Sequence, residues 1–259
     1  MLCVISPAKK LDMSPVDVPT VTHPAFPDET ASLVKTARRL TLGDLQKLMS
    51  ISPDLARLNR DRFRDFDAAA EKPAIHSFAG DTYQGLEAAS LDEDELRYAQ
   101  DHLRILSGLY GLLRPLDVIK PYRLEMGSRL KTRRGASLYA FWGDRLSTHL
   151  NALAREQETD VLLNCASQEY FGAVDPAALK VQVVTPTFLE DKPGGPKIVS
   201  FFAKRARGAM ARFVIQNRLR RPEDLSQFDL GGYRYDAGRS SPENPVFLRE
   251  AQTEMRAAS

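Results

Sequence analysis

Two glycines, Gly108 and Gly111, punctuate the stretch LRILSGLYGLLRPLD from Leu103 to Asp117. Between two helices, glycines let a turn of backbone come close to a phosphate. Free amides at the start of the second helix then point at the anion, and the helix dipole adds attraction. Such contacts hold a phosphate backbone and do not read bases. The stretch departs from the usual helix-hairpin-helix pattern in two ways. Leu109 and Tyr110 stand between the glycines, where the pattern has a single apolar residue. Pro115 also restricts a second helix to a short run that stops before Pro121. An ordinary helix stop and a phosphate-holding hairpin are both consistent with these residues.

A second constellation suits small-molecule chemistry. Ser6, Lys9, Lys10 and Asp12 follow a first apolar run, and Asn164, Ser167 and Glu169 follow another. Loops after strands are where α/β proteins often place their sites. Asp81 and Tyr83 lie in a glycine-bounded loop. If these loops converge, they supply an anion-binding lysine and carboxylates for acid–base work on a nucleotide or other phosphorylated compound. Hydrogen bonding that merely ties the loops together is the plainer alternative. The run SPAKK also lacks the glycines of a phosphate loop.

Positive charge is concentrated in two places. On a helical wheel with Phe202 as zero, Ala206, Ala209 and Phe213 fall within roughly 40° of it, making an apolar stripe. Lys204, Arg207 and Arg218 fall on the opposite side, flanked by Arg205 and Arg212. No acidic residue occurs between Lys192 and Arg221. A solvated helix usually mixes signs, because oppositely charged i,i+4 pairs support it. The second group surrounds the glycine stretch: Arg97, Arg104, Arg114, Lys120, Arg123, Arg129, Lys131, Arg133 and Arg134, interleaved with Tyr110 and Tyr122 and made less pure by the acidic Asp117 and Glu125. The candidate phosphate contacts are Gly108, Tyr110, Gly111, Arg114, Lys120 and Arg123, with Lys204, Arg205, Arg207 and Arg212 from the basic helix, a distribution that could follow a phosphate backbone.

Other chemistries find little support. His23, His76, His102 and His149 are far apart, no two at i,i+4, and no Glu-x-x-His pair of the di-iron type occurs, so no metal and no cofactor is expected. Cys3 and Cys165 sit in apolar runs without an obvious activating base, which argues against a cysteine peroxidase and against a disulfide framework. The 259 residues are 43% hydrophobic and 27% charged, with net charge +2 and a pI near 8.5. That composition suits a soluble protein with a substantial core. No signal peptide or membrane span is read from the chain, so a cytoplasmic location is expected.

The elements that must position these residues follow from patterning. LCVIS, VLLNCAS and KVQVVTPTF read as strands, and GGYRYD as a last short one. LGDLQKLM, PDLARLNRDRF, SLYAFWGDRLSTHLNALA (interrupted near Gly143) and FFAKRARGAMARFVIQNRL read as helices. SLDEDELRYAQDHLRILSG reads as one helix, opened by a Ser90/Glu93 capping box, carrying a stripe of Leu96, Ala99, Leu103 and Leu106, and stopped by Gly108. The expected architecture is a single mixed α+β domain over residues 1–240. It has strands near both ends, central helices and an embedded helix-hairpin-helix-like element, followed by a loosely ordered tail over 241–259.

Several runs together resemble the peroxide stress protein YaaA family along almost the whole chain. They are ISPAKKLD from Ile5, FAGDTYQGL (Phe78 to Leu86), LRILSGLYGLLRPLDVIKPYRLEMG (Leu103 to Gly127), FWGD (Phe141 to Asp144), NCASQEYF (Asn164 to Phe171), FFAKRARGAMARF (Phe201 to Phe213) and GGYRYD (Gly231 to Asp236). Lys10 stands where the family usually has threonine. The resemblance implies a cytoplasmic bacterial protein of the peroxide response, associated with limiting damage from unincorporated iron. It further implies DNA binding and an unusual single-domain fold containing a helix-hairpin-helix element. The glycine stretch is where the sequence best fits that element. An enzyme acting on a phosphorylated small molecule through the Ser6–Lys10 and Asn164–Glu169 loops is the alternative.

Overall fold

A computed structural model describes residues 1–18 and 20–250. The chain opens with β1 (Leu2–Ile5), then α1 (Pro27–Ala37), α2 (Leu42–Met49) and α3 (Pro53–Arg64). The short β2 (Lys72–Pro73), α4 (Ala74–Ser77) and α5 (Asp81–Leu86) lead into α6 (Glu93–His102). Next come β3 (Leu103–Ser107), β4 (Gly111–Leu113), β5 (Val118–Ile119), α7 (Leu138–Trp142) and α8 (Arg145–Glu156). The second half contains β6 (Val161–Cys165), α9 (Gln168–Phe171), β7 (Gln182–Val184), β8 (Thr187–Glu190), α10 (Ser200–Asn217), β9 (Tyr233–Tyr235) and β10 (Val246–Arg249). The class is α+β, with sheets of five, three and two strands.

The five-stranded sheet has the order β4-β3-β1-β6-β7. Its four strands β3, β1, β6 and β7 run parallel, and β4 closes one edge antiparallel to β3. Every residue of β1, β3 and β6 is buried. That burial explains the unbroken apolar runs LCVI and VLLNC, since parallel strands are covered on both faces and show no alternation. In the three-stranded sheet β10 lies at the centre, parallel to β8 and antiparallel to β9.

The long helix α10 joins the two halves. It packs along α5 and also reaches β1, β6 and β8. Of the expected stripe only Ala206 is buried, together with Ala203, Met210, Ala211, Val214 and Ile215, whereas Phe202, Ala209 and Phe213 are partly covered. The buried face is therefore rotated from the stripe expected on the wheel, because the helix is packed on more than one side.

The helices expected from LGDLQKLM and PDLARLNRDRF are present as α2 and α3. Helix α2 is opened by a Thr41/Asp44 capping box, and α3 by Ser52 ahead of Pro53. Other expectations are corrected. The capping box of α6 is Asp92 with Glu95, not Ser90 with Glu93. Helix α6 also ends at His102, and Leu103 to Ser107 become β3 beside β1. KVQVVTPTF divides into β7 and β8, which belong to different sheets. The segment from Ser241, expected to be a loose tail, contains β10, the middle strand of its sheet. The remainder of that expected tail, 251–259, lies outside the described residues.

Candidate functional site

The glycine stretch is a β-hairpin, not a helix-hairpin-helix element. Strands β3 and β4 pair antiparallel through Ser107 opposite Gly111, with Gly108 to Tyr110 forming the turn. The apolar run LRILS could serve either as a helix end or as a buried strand; pairing with β1 decides for the strand. The whole turn is buried. Ser107 Oγ accepts from the amides of Tyr110 at 3.0 Å and Leu109 at 3.3 Å, and Trp142 Nε1 donates to the Gly108 carbonyl at 3.2 Å. Gly111 takes φ +74°, and a Cβ there would lie 2.8 Å from the Trp142 ring. These glycines serve a turn sealed against Trp142, so Gly108, Tyr110 and Gly111 offer no amide to a phosphate from solvent. Two helices joined by a three-residue turn do occur elsewhere, at α2 and α3, with Ser50 in the left-handed region.

The cations around the hairpin are engaged within the protein. Arg114 pairs with the buried Asp117 at 2.9 Å and donates to the His23 carbonyl at 3.0 Å. Lys120 donates to the Asp67 carbonyl at 2.9 Å and faces Glu71 at 3.6 Å. Arg123 pairs with Glu125 at 2.8 Å. Arg129, Lys131 and Arg133, farther along this segment, are exposed and have no carboxylate within ion-pair distance among the described residues.

The basic helix is different. Lys204 and Arg205 on α10 are exposed, and neither makes an ion pair among the described residues. Arg207 is half-buried near Cys165, where burial holds its guanidinium below the usual value. Arg212 is turned inward: its Nη1 donates to the carbonyls of Leu86 at 3.1 Å and Glu87 at 2.9 Å, capping the C-terminal end of α5. Of the four expected contacts on this helix, Lys204 and Arg205 are exposed, Arg207 is half-buried, and Arg212 is hydrogen-bonded within the fold.

The residues proposed for small-molecule chemistry do converge. Ser6 follows β1 and Ser167 follows β6, and these strands are neighbours in the sheet. The Ser167 amide donates to Ser6 Oγ at 2.9 Å, and the two hydroxyls are 3.3 Å apart. Tyr83 donates to the Ser6 carbonyl at 3.2 Å, and the Ala79 amide donates to the Lys10 carbonyl at 3.0 Å, bringing the Asp81 loop alongside. Glu169 accepts from the Gly127 amide at 3.0 Å. Asn164 is turned to its own neighbourhood, accepting from the Ala166 amide and donating to Thr185. Lys9 is held by Glu125 at 2.8 Å, and Glu125 also takes Arg123. Glu125 stands two positions from Arg123, but nothing in the sequence announces that it also takes Lys9, 116 positions away. The loops are gathered, but Lys9 is neutralised there; Lys10 alone of the two lysines remains exposed without an ion pair among the described residues.

Among the described residues no cluster of His, Cys, Asp and Glu suits a metal ion, and no helix is long and apolar enough to cross a membrane. Cys3 and Cys165 are buried on adjacent strands. A hydrogen bond with Cys165, together with burial, pushes the Cys3 thiol well up. Neither thiol should react with Ellman's reagent in the native protein, and both should react on unfolding. Rapid stoichiometric labelling under native conditions would show that they are accessible thiolates after all.

The family model described as peroxide stress protein YaaA matches residues 1–239. A UPF0246 protein of Ruegeria pomeroyi is 68% identical over 256 residues, covering 97% of this chain and 100% of its own length. One from Roseobacter denitrificans is 67% identical over 255 residues, covering 96% and 98%. A third, from Jannaschia sp., is 60% identical over 259 residues, covering 99% and 100%.

Proposed function

We propose, starting from the fact that the chain belongs to the peroxide stress protein YaaA family, that it binds DNA through phosphates, selecting DNA shape and not base sequence, and that this binding limits iron-driven oxidative damage during the peroxide response. One observation carries the reading: α10 contains no acidic residue, and its exposed Lys204 and Arg205 lack any carboxylate partner among the described residues. Cations left unpaired on a surface helix are free to replace counterions on a phosphate backbone. Arg129, Lys131 and Arg133 add a second exposed basic strip. Fixed cations of this kind answer to the spacing of phosphates, which varies with the form of the DNA.

Binding should weaken steeply with salt. In Lys204→Glu/Arg205→Glu, affinity for every duplex sequence should fall by about tenfold or more, and the slope of log K against log salt should become shallower by about 2. Fluorescence anisotropy with duplex and branched DNA over a potassium chloride series measures both quantities. Unchanged affinity and slope in the double variant would remove the basis of the proposal. Arg207 and Arg212 are left intact in this test because Arg207 is half-buried and Arg212 caps the end of α5.

A further inference from the structure

Arg104 is a buried cation without a counter-charge. It lies in β3, is 3% exposed, and makes no ion pair among the described residues. Only its Nη1 is used, donating to the carbonyls of Leu103 at 2.7 Å and Gln100 at 2.9 Å. Its Nε is buried with no hydrogen-bond partner among the described residues. The other buried cation, Lys72, has Asp12 nearby at 3.8 Å and donates to the Asp12 carbonyl at 2.9 Å. Burying an unpaired charge is costly, and buried polar groups normally find partners. Arg104 violates both regularities.

The nearest candidates do not repair this. Asp117 is 1% exposed, and its carboxylate is already taken by Thr22 Oγ1 at 2.7 Å, by the Arg114 amide at 2.8 Å and by Arg114 Nε at 3.0 Å. Burial, followed by repulsion from Arg114, lowers Arg104 to about 10. His149 is lowered as well, by burial and then by Arg104, so it stands neutral at pH 7. The site therefore holds more positive than negative charge at its inner end.

Arg104 also lines a cavity of about 340 Å³ between α6, β3, β4 and α8. Arg114 and His149 share its wall, and the exposed carboxylates Asp101 and Glu156 stand among its outer residues. With Nη1 committed to backbone, the unused edge of the guanidinium is Nε with Nη2. That edge is the fork that accepts a carboxylate or phosphate through two parallel hydrogen bonds. The two acidic residues disfavour a polyanion and suit a ligand whose remaining part is neutral or cationic.

We propose that this cavity binds a small ligand carrying one carboxylate or phosphate group, seated on the free edge of Arg104, with its uncharged or cationic remainder directed toward Asp101 and Glu156. The site is separate from the basic face of α10 and independent of the DNA reading.

The test is thermal unfolding of the full chain at constant ionic strength, with chloride replaced by inorganic phosphate in one arm and by acetate in the other. At least one anion should give a saturable rise of a few degrees in the wild-type protein. The anion saturating at lower concentration identifies the ligand class. Arg104→Met should abolish the rise. Arg104→Lys, which keeps the charge but not the fork, should need about tenfold more anion. A merely structural Arg104 predicts the opposite pattern: variants of lowered stability whose response to anion is unchanged. No rise with either anion in the wild type, or an equal rise in Arg104→Met, overturns the proposal. A measurement without substitution guards against a variant that does not fold. In ¹⁵N spectra of the wild type, one arginine Nε–H resonance should shift saturably with anion, and the absence of any such shift counts against the site.

Discussion

Gly208→Ala is expected to be among the most damaging single-methyl additions in the chain, although alanine is the better helix former by about 1 kcal/mol. A Cβ at Gly208 would lie 1.7 Å from the Thr82 carbonyl oxygen and 2.9 Å from the Leu86 amide. From the other side, a Cβ at Gly85 would lie 2.0 Å from the Arg205 carbonyl oxygen and 2.9 Å from the Ala209 amide. The obstructing atoms are backbone on both helices, so no rotamer change relieves them. Helices α5 and α10 would have to move apart. That opens the packing around Ala206, Met210 and Leu86, all of which are buried. Overpacking typically costs about 1–3 kcal/mol, and a backbone collision belongs at the upper end or beyond. Gly43→Ala is the control, since the nearest atom to a Cβ there is Thr41 Oγ1 at 3.9 Å. Urea unfolding should show Gly43→Ala unchanged or stabilised by up to about 1 kcal/mol, and Gly208→Ala and Gly85→Ala each strongly destabilised. The double variant should lose less than the sum, because one separation of the helices relieves both clashes. A Gly208→Ala curve that overlays Gly43→Ala would mean that α5 and α10 do not touch as described.

The same helix shows what sequence reading reaches and where it stops. Helices α2 and α3 are legible in their local patterning, and the structure adds their caps, Thr41 with Asp44 and Ser52 before Pro53. Strands β1 and β6 were legible because burial on both faces leaves unbroken apolar runs. That Ser6 and Ser167 approach each other is settled only by the pairing of β1 with β6, which the sequence leaves open. The failures are non-local. Nothing inside LRILS states that β1 lies beside it, so a continuation of α6 fitted the pattern equally well. Nor does anything near Arg114, Lys120 or Arg123 announce the His23 carbonyl, the Asp67 carbonyl or a Glu125 shared with Lys9. Counting basic residues therefore overstated the charge available to a partner. On α10, where no acidic residue is close in sequence, the count survived at Lys204 and Arg205.

Arg249→Met should cost about 3–5 kcal/mol, because it leaves a buried carboxylate without its cation. Glu190 is 2% exposed at the end of β8. Arg249 on β10 reaches it twice, from Nη2 at 2.7 Å and from Nε at 2.8 Å, and Tyr233 on β9 donates its hydroxyl to the other carboxylate oxygen. Burial and the adjacent Glu190 push the Tyr233 phenol up, so it remains a donor at neutral pH. One carboxylate thereby ties all three strands of the small sheet. The guanidinium also stacks over Phe202, 3.9 Å from the ring centre, which anchors the first turn of α10 to that sheet. The ion pair is not irreplaceable in energy: apolar residues of similar volume often match a buried pair. Glu190→Leu/Arg249→Met should therefore recover much of what Arg249→Met loses, whereas Glu190 left alone cannot. Denaturant melts of the two single variants and the double give the coupling. A loss below about 1 kcal/mol in Arg249→Met would indicate that Glu190 is solvated and that β10 does not hold the centre of its sheet. A large loss with recovery in the double variant would instead place the C-terminal strand among the elements that fix the start of α10, and with it the position of Lys204 and Arg205.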